Sequence, residues 1–380
     1  MALLDFFSQT DSAEIKQLLR TAGELASKVT LDAALEECEF KREHFDLFGK
    51  AGLTQLGSVE NDLLFGSYAT AGVIKSLAEC QLGPAIYLSV HLMVSKLLAK
   101  NISSDFIATE SQKLISGEKL AAFCLTEPGA GSDASALSCS AVRTDKGYLL
   151  QGEKIYITSG PVADTFLVFA KTGDSKGKPQ ISSFLVSAET PGLVRGKSEK
   201  KMGCEGAPIC SIGFEDCEIS EDNRVGAEGA GYKIALSGLA GGRVNIAAAA
   251  CGLAAHGIQL ASNHMKTRKQ FGQYISEFQG LQFMLADMIS RTNASILLTR
   301  EAAKCLDRGE RATSEAAVAK CFATDSAMQT TLDSAQLMGG SGYLREFGAE
   351  KLIRDAKMLQ IVEGTNQIQK TIIASAALSD

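Results

Sequence analysis

Glu363 lies in the run Gln360-Ile-Val-Glu-Gly-Thr-Asn-Gln-Ile-Gln369, a carboxylate among apolar and amide side chains with a glycine directly behind it. A carboxylate in dry surroundings has a raised pKa and is a stronger base. Removing a proton from a carbon acid requires such a base. Gly364 lacks a side chain, so a substrate can approach the backbone there. The same run also reads as a helix end, with Glu363 in the last turn, Gly364 as cap and Thr365 opening the next helix. Far upstream stands Phe123-Cys-Leu-Thr-Glu-Pro-Gly-Ala-Gly-Ser-Asp133. Its amides and the hydroxyls of Thr126 and Ser132 could hold a planar polar ring or a phosphate. The plainer reading is a turn followed by a helix capped by Asp133. Tyr156 and Thr158, two residues apart, share a face if they lie in a strand. They could pack on a flat cofactor and bond to its edge, or simply belong to a half-buried strand. Gln336-Leu-Met-Gly-Gly-Ser-Gly342 is a further glycine-rich turn or a helix terminus.

These residues need elements to carry them. Residues 1–118 read as a helical domain. Asp11 or Ser12 can cap a helix whose apolar positions, Ile15, Leu18, Leu19, Ala22 and Leu25, recur three and four apart. A second helical segment, Tyr68 to Lys100, breaks at Gly83-Pro84. Residues 119–225 change texture to short apolar runs separated by turn residues. Cys210, Ile212 and Phe214 alternate as in a half-buried strand, and a small antiparallel sheet or barrel is expected. Residues 226–380 return to helix. Ala247 to Ala250, Leu253, Ile258 and Leu260 belong to one long helix. Leu281, Met284, Leu285, Met288, Ile289 and Ile296 form the apolar stripe of another. The expected class is α+β, mainly helical: helices, a central antiparallel sheet, then a helical bundle. This is not the alternating pattern of a doubly wound nucleotide-binding fold.

A chain of 380 residues divides into two or three domains. With 45% hydrophobic and 22% charged residues it reads as an ordinary soluble protein, and its net charge of -6 argues against a nucleic-acid partner. The ten cysteines, from Cys38 to Cys321, show no paired spacing and are expected as reduced thiols in the core. No metal site is expected, because His44, His91, His256 and His264 are isolated. Leu82 to Leu98 is apolar but carries Pro84, His91 and Lys96, which fits a buried helix or helix pair rather than a membrane span. The N-terminus has no basic region and meets Asp5 early, so a cytoplasmic protein without a signal peptide is expected.

Together, Thr126-Glu-Pro-Gly-Ala-Gly-Ser-Asp133, Arg268-Lys-Gln-Phe-Gly272, Gln336-Leu-Met-Gly-Gly340 and Ile361-Val-Glu-Gly-Thr-Asn-Gln367 carry a resemblance. Over nearly its whole length the chain resembles the acyl-CoA dehydrogenases, FAD-dependent flavoproteins that introduce an α,β double bond into acyl-CoA thioesters. The resemblance implies that Glu363 is the catalytic base. Phe123, Leu125, Thr126 and Ser132 would line the flavin and the near end of the substrate. Tyr156 stands where the family usually has tryptophan, and Thr158 matches the hydroxyl near the reactive flavin nitrogen. Arg268, Phe271, Gln279, Gln336, Leu337, Gly339, Gly340, Thr365 and Gln367 match positions that hold the adenine half of FAD, several of them reaching in from a neighbouring subunit. Ser132, Arg243 and Gly364 match substrate-side positions.

The implied reaction removes the α-proton through Glu363 while the flavin takes hydride from the β-carbon, giving the trans-2-enoyl-CoA. The implied partners are an acyl-CoA and an electron-transfer flavoprotein, within a homotetramer built as a dimer of dimers and serving fatty acid β-oxidation. Some relatives place the base just before the arginine matching Arg243; here that position is Gly242, which cannot act. Val362 replaces a common tyrosine beside the base, widening the acyl pocket or favouring branched chains. Ala240 replaces an aspartate that touches substrate in some relatives. The competing readings are an acyl-CoA oxidase that hands electrons to oxygen, and a flavoprotein of the same fold that has lost its chemistry.

Overall fold

The computed structural model describes residues 4–6, 12–31, 39–58, 66–175 and 178–379. Asp11 and Cys38 lie outside them. Helix α1, Ala13–Leu31, opens on Ser12, whose hydroxyl accepts the Ile15 amide at 3.3 Å. It is followed by α2, Arg42–Lys50, α3, Gly66–Cys80, α4, Leu82–Lys100, and α5, Asp105–Ile115. The break that the sequence places at Gly83-Pro84 falls two residues earlier, at Gln81. Proline is tolerated in a first helical turn, where its missing N–H would have no partner, so Pro84 sits inside α4. Helix α4 is buried on nearly every side. A methyl at Gly83 would come within 2.7 Å of the Gly206 backbone, so the glycine lets α4 touch the sheet region directly.

The strands run from Ala121 to Val225: β1, Ala121–Cys124; β2, Ser140–Thr144; β3, Gly147–Thr158; β4, Thr165–Ser175; β5, Lys178–Ser187; β6, Leu193–Arg195; β7, Ile209–Ser220; β8, Arg224–Val225. They form one sheet in the order β6-β7-β3-β2-β4-β5-β8, with β1 joined to β4. The expected antiparallel sheet is corrected here to a mixed one, because β1 and β2 both run parallel to β4. Hairpin signals reveal antiparallel neighbours, but a parallel pair is closed by distant chain and leaves no local mark. Strand β4 is buried on both faces. Phe166, Val168 and Ala170 point into the sheet's own core. Leu167 and Phe169 pack with Met93, Val94 and Leu97 of α4. This second face fastens the sheet to the helices.

The chain then returns to helix: α6, Gly231–Thr267, α7, Gln279–Asp307, α8, Thr313–Met338, α9, Ala349–Leu359, and α10, Asn366–Ala377. A short hairpin, β9 (Lys269–Gln270) and β10 (Gln273–Tyr274), separates α6 from α7. Two helices, α4 and α6, are long and apolar enough to cross a membrane, but 83% of the apolar window of each is buried within the fold. Their hydrophobic runs therefore serve the main core, where Val244, Ala247, Ala248 and Leu253 of α6 meet Val73, Ile74 and Leu77 of α3. The nine cysteines among the described residues are free thiols, and all but Cys80 are buried.

Candidate active site

Glu363 is held on the short link between α9 and α10. Helix α9 ends at Leu359, four residues earlier, so Glu363 is not in its last turn. Thr365 does open the next helix, its hydroxyl accepting the Ile368 amide at 3.4 Å. Glu363 has a φ of 56° and Gly364 a φ of 84°. A left-handed non-glycine residue costs free energy and persists only where its surroundings enforce it. The enforcement comes from the backbone acceptors beside it. Gln369 Nε2 donates to the carbonyls of Glu363 at 3.1 Å and Gly364 at 2.8 Å, and Arg243 Nε donates to the Glu363 carbonyl at 3.5 Å. A methyl on Gly364 would meet Gln369 Nε2 at 2.9 Å, so this glycine serves the fold as well as access.

The Glu363 carboxylate is turned into the protein. Its Oε2 is buried and has no hydrogen-bond partner among the described residues. Burial pushes its pKa up to about 7, with Arg243 and Lys320 pulling it partly back. Arg243 is itself buried, and desolvation lowers its pKa while Glu363 supports it. The backbone N–H of Glu363 also has no acceptor among the described residues, which leaves it available to an oxyanion. On α6, a Cβ on Gly242 would stand 2.6 Å from Oε2. The glycine that the sequence marks as unable to act as base is what makes room for the Glu363 carboxylate.

Gly241 and Gly242 are also part of the wall of a cavity of about 280 Å³. Leu92, Met93 and Leu97 of α4, together with Leu56 and Leu306, give it an apolar side. Lys96, Lys100 and Asp307 border it as well. Neither Val362 nor Ala240 lines it; Val362 packs against the main helical core instead.

The second group gathers around β1 and β3. The Thr126 carbonyl accepts the Ile155 amide at 2.9 Å, which brings the glycine loop beside Tyr156. Between Lys154 and Ile157 strand β3 is bulged, and Tyr156 takes a φ of 57°. The bulge interrupts the regular alternation expected through Thr158. It leaves Tyr156 65% exposed, with Thr158 half-buried beside it. Phe123 is half-buried with its ring 4.9 Å from that of Phe169, Leu125 is buried, and Ser132 is exposed. In place of the helix expected at Asp133 there is one tight turn, Ala134–Ala136, and the Asp133 carboxylate accepts the Ser135 hydroxyl. A helix cannot follow because Glu127, not Asp133, captures the next amides. It accepts Ser138 N at 2.6 Å and Cys139 N at 3.0 Å. Lys154 completes the support, donating to Glu127 Oε1 at 2.7 Å and to the Leu125 carbonyl at 3.1 Å from a fully buried position.

Helix α9, which leads into the Glu363 link, is tied to the segment between β6 and β7. Asp355 accepts the Cys204 amide, and Arg354 pairs with Glu205 at 2.8 Å. The remaining positions lie apart. Arg268 follows α6; Phe271 and Gly272, both left-handed, form the tip of the β9–β10 hairpin; Gln279 begins α7. Gln336, Leu337 and Gly339 form the end of α8, where Gly339 terminates the helix and Gly340 begins a single helical turn. Arg268, Phe271, Gln279, Gln336, Gly339, Gly340 and Gln367 are exposed, Phe271 at 93%, whereas Leu337 is buried. No hydrogen bond among the described residues joins the Arg268, Gln279 or Gln336 side chain to Glu363 or to the glycine loop. Lys154 and Lys320 were not singled out in the sequence. Lys320 is a lone cation in the small and apolar run of residues 316–323, a signal that could have marked it, whereas Lys154 follows Glu153 and carries no such local signal.

Known proteins share this sequence pattern and fold. A family model for the acyl-CoA dehydrogenase middle domain matches residues 122–217, and one for the C-terminal domain matches residues 229–378. The chain is 39% identical to an acyl-CoA dehydrogenase of Bacillus subtilis, over 90% of each chain. The butyryl-CoA dehydrogenase structure from Megasphaera elsdenii superposes with a TM-score of 0.94 at 34% identity, covering 98% of this chain and 100% of that one. A structure described as PigA with FAD and proline gives a TM-score of 0.89 at 28% identity, covering 98% and 99%. The helix–sheet–helix order, the buried carboxylate and these likenesses agree: the chain belongs to the acyl-CoA dehydrogenase family of oxidoreductases.

Proposed function

We propose that the protein dehydrogenates a short acyl-CoA to its trans-2-enoyl-CoA with FAD, and passes the electrons to an electron-transfer flavoprotein. The observation that carries this reading is the unpartnered Glu363 carboxylate beside the cavity at Gly242. An acyl thioester reaching into the cavity past Gly242 brings its α-carbon to that carboxylate. The α-proton is too weakly acidic to leave unaided. Glu363, poised near neutrality, accepts it. The unoccupied Glu363 N–H is suited to hold the thioester oxygen as charge develops there.

The residues around the glycine loop fit a flavin. Tyr156 is aimed outward by a strained backbone, and the adjoining loop and strand carry the hydroxyls of Thr126, Ser132 and Thr158. The buried Lys154–Glu127 pair fixes the loop that carries them. FAD, when bound, supplies the hydride acceptor. The exposure of Arg268, Phe271, Gln279, Gln336, Gly339, Gly340 and Gln367 supports their meeting the adenine half of FAD across a subunit boundary in a homotetramer. Thr365 combines that position with capping α10. The polar border of the cavity, Lys96, Lys100 and Asp307, disfavours a long alkyl tail and supports a short acyl chain.

Mixing the purified protein with straight and branched acyl-CoAs in the absence of oxygen, while following the visible flavin band, tests the proposal. Bleaching by the short members is the expected result. A flavin-loaded protein that no acyl-CoA bleaches refutes it.

A further inference from the structure

Glu363 sits outside any helix or strand, so its position depends on what grips the link around it. The principal grip comes from α8. Lys320, in the middle of that helix, is fully buried. Its ammonium donates to the Gly364 carbonyl at 2.9 Å and to Asn366 Oδ1 at 2.8 Å. Asn366 is fixed in turn, its Nδ2 donating to Thr324 Oγ1 at 2.9 Å and to Asp325 Oδ1 at 2.7 Å. Asp325 also receives Gln360 Nε2 at 2.7 Å, which anchors the start of the link. With Gln369 on both carbonyls, the left-handed pair Glu363–Gly364 is clamped from two helices.

A buried ammonium is costly unless it is paired. Lys320 makes no ion pair within 4.0 Å among the described residues; both of its acceptors are neutral. Burial accordingly lowers its pKa to about 8. Packing or backbone satisfaction alone could be served by an uncharged side chain at less cost. The charge has a use nearby, since Glu363 is among the groups it acts on electrostatically.

We propose that Lys320 is a positioning residue for the reaction, setting the place of the Glu363 carboxylate through the Gly364 carbonyl and Asn366. The inference rests on the reading of Glu363 as the base. The charged groups facing Glu363 are Arg243 from α6 and Lys320 from α8, while α10 presents the neutral Asn366 and Gln369. Removing the Lys320 charge therefore both loosens the link and makes the carboxylate harder to ionise.

The test uses Lys320→Met in the FAD-loaded enzyme, with butyryl-CoA as probe and oxygen excluded. The rate of flavin bleaching is followed from pH 5.5 to pH 9. A reacting group displaced by about 1 Å costs on the order of 100-fold in rate. Loss of a nearby cation raises a carboxylate pKa by about one unit or more. The expected result is a bleaching rate about 100-fold lower, little change in the butyryl-CoA concentration giving half the maximal rate, and an acid limb moved upward by about one pH unit. Amide exchange across residues 361–366, measured without substrate, rises about tenfold as the clamp loosens. A wild-type rate and limb overturn the inference, and so does a lower rate with an unmoved limb, which reduces Lys320 to a packing residue. Gln369→Leu keeps the charge and removes one donor from each carbonyl. It is expected to slow bleaching with the limb in place, and a wild-type rate overturns the clamp even if Lys320→Met fails to fold. Glu363→Gln is run in parallel. Bleaching at the wild-type rate there defeats the reading of Glu363 as base, an outcome separate from any result at Lys320.

Discussion

Replacing Glu363 by glutamine is expected to stabilise the protein above pH 7 while removing its activity. The folded chain holds the Glu363 proton more tightly than the unfolded chain does, with a pKa raised from 4.5 to about 7. Its contribution to stability is therefore fully present below pH 4.5 and is lost as the pH rises through 7. A shift of that size corresponds to about 3 kcal/mol once the group is ionised in both states. Glutamine keeps the shape and carries no charge, so it escapes this loss. Most of the difference develops between pH 5 and pH 8. Lys320 titrates mainly above that window, since its pKa is lowered only to about 8. Urea unfolding of the FAD-loaded wild type and variant at both pH values reads the effect. The stability gap should widen in favour of Glu363→Gln by about 2 kcal/mol from pH 5 to pH 8. A gap that stays constant to within about 0.5 kcal/mol would show that the carboxylate is not buried with its charge uncompensated, and the reasoning from desolvation would fail.

Other perturbations read separate parts of the site. Gly242→Ala places a methyl 2.6 Å from Glu363 Oε2. The flexible carboxylate gives way, so the melting temperature should stay close to wild type while kcat falls tenfold or more, roughly as expected for a misplaced base. Tyr156→Gly relieves a left-handed tyrosine and should gain about 1 kcal/mol in unfolding experiments, while FAD dissociates more readily in dialysis. Lys154→Met leaves the Glu127 carboxylate buried without its cation and should cost about 3–5 kcal/mol, read by thermal unfolding. Each methylene added to a straight acyl chain should raise kcat/KM about fourfold, as expected from burial of about 0.8 kcal/mol per methylene, until the tail reaches Lys96 and Asp307.

The parts of this molecule that were legible in its sequence are those written in local pattern. The apolar stripe of α7, the change of texture at Leu120, and the motif around Glu363 all lie in contiguous residues. What was not legible depends on distant partners. The parallel pairing of β1 with β4 joins Phe123 to Leu167 across more than 40 residues without a turn signal. The break before Pro84 moved to Gln81 because a helix can begin just ahead of a proline. Asp133 was a reasonable helix cap by type, but Glu127 takes the neighbouring amides from a position fixed by Lys154. The left-handed backbone of Glu363 was equally hidden, because Gly364 attracts the expectation of positive φ and the donors that grip the carbonyls of this pair are Lys320, Arg243 and Gln369, all distant in sequence or on the next helix.

We propose Glu363 as the base that starts dehydrogenation. Its most direct test is rapid anaerobic mixing of FAD-loaded wild type and Glu363→Gln with butyryl-CoA, following the visible flavin band. Rapid bleaching of the wild type is expected and, in the variant, tight butyryl-CoA binding with bleaching slower by about 10³-fold or more, in line with loss of a general base. Bleaching of Glu363→Gln within about tenfold of the wild-type rate would contradict it.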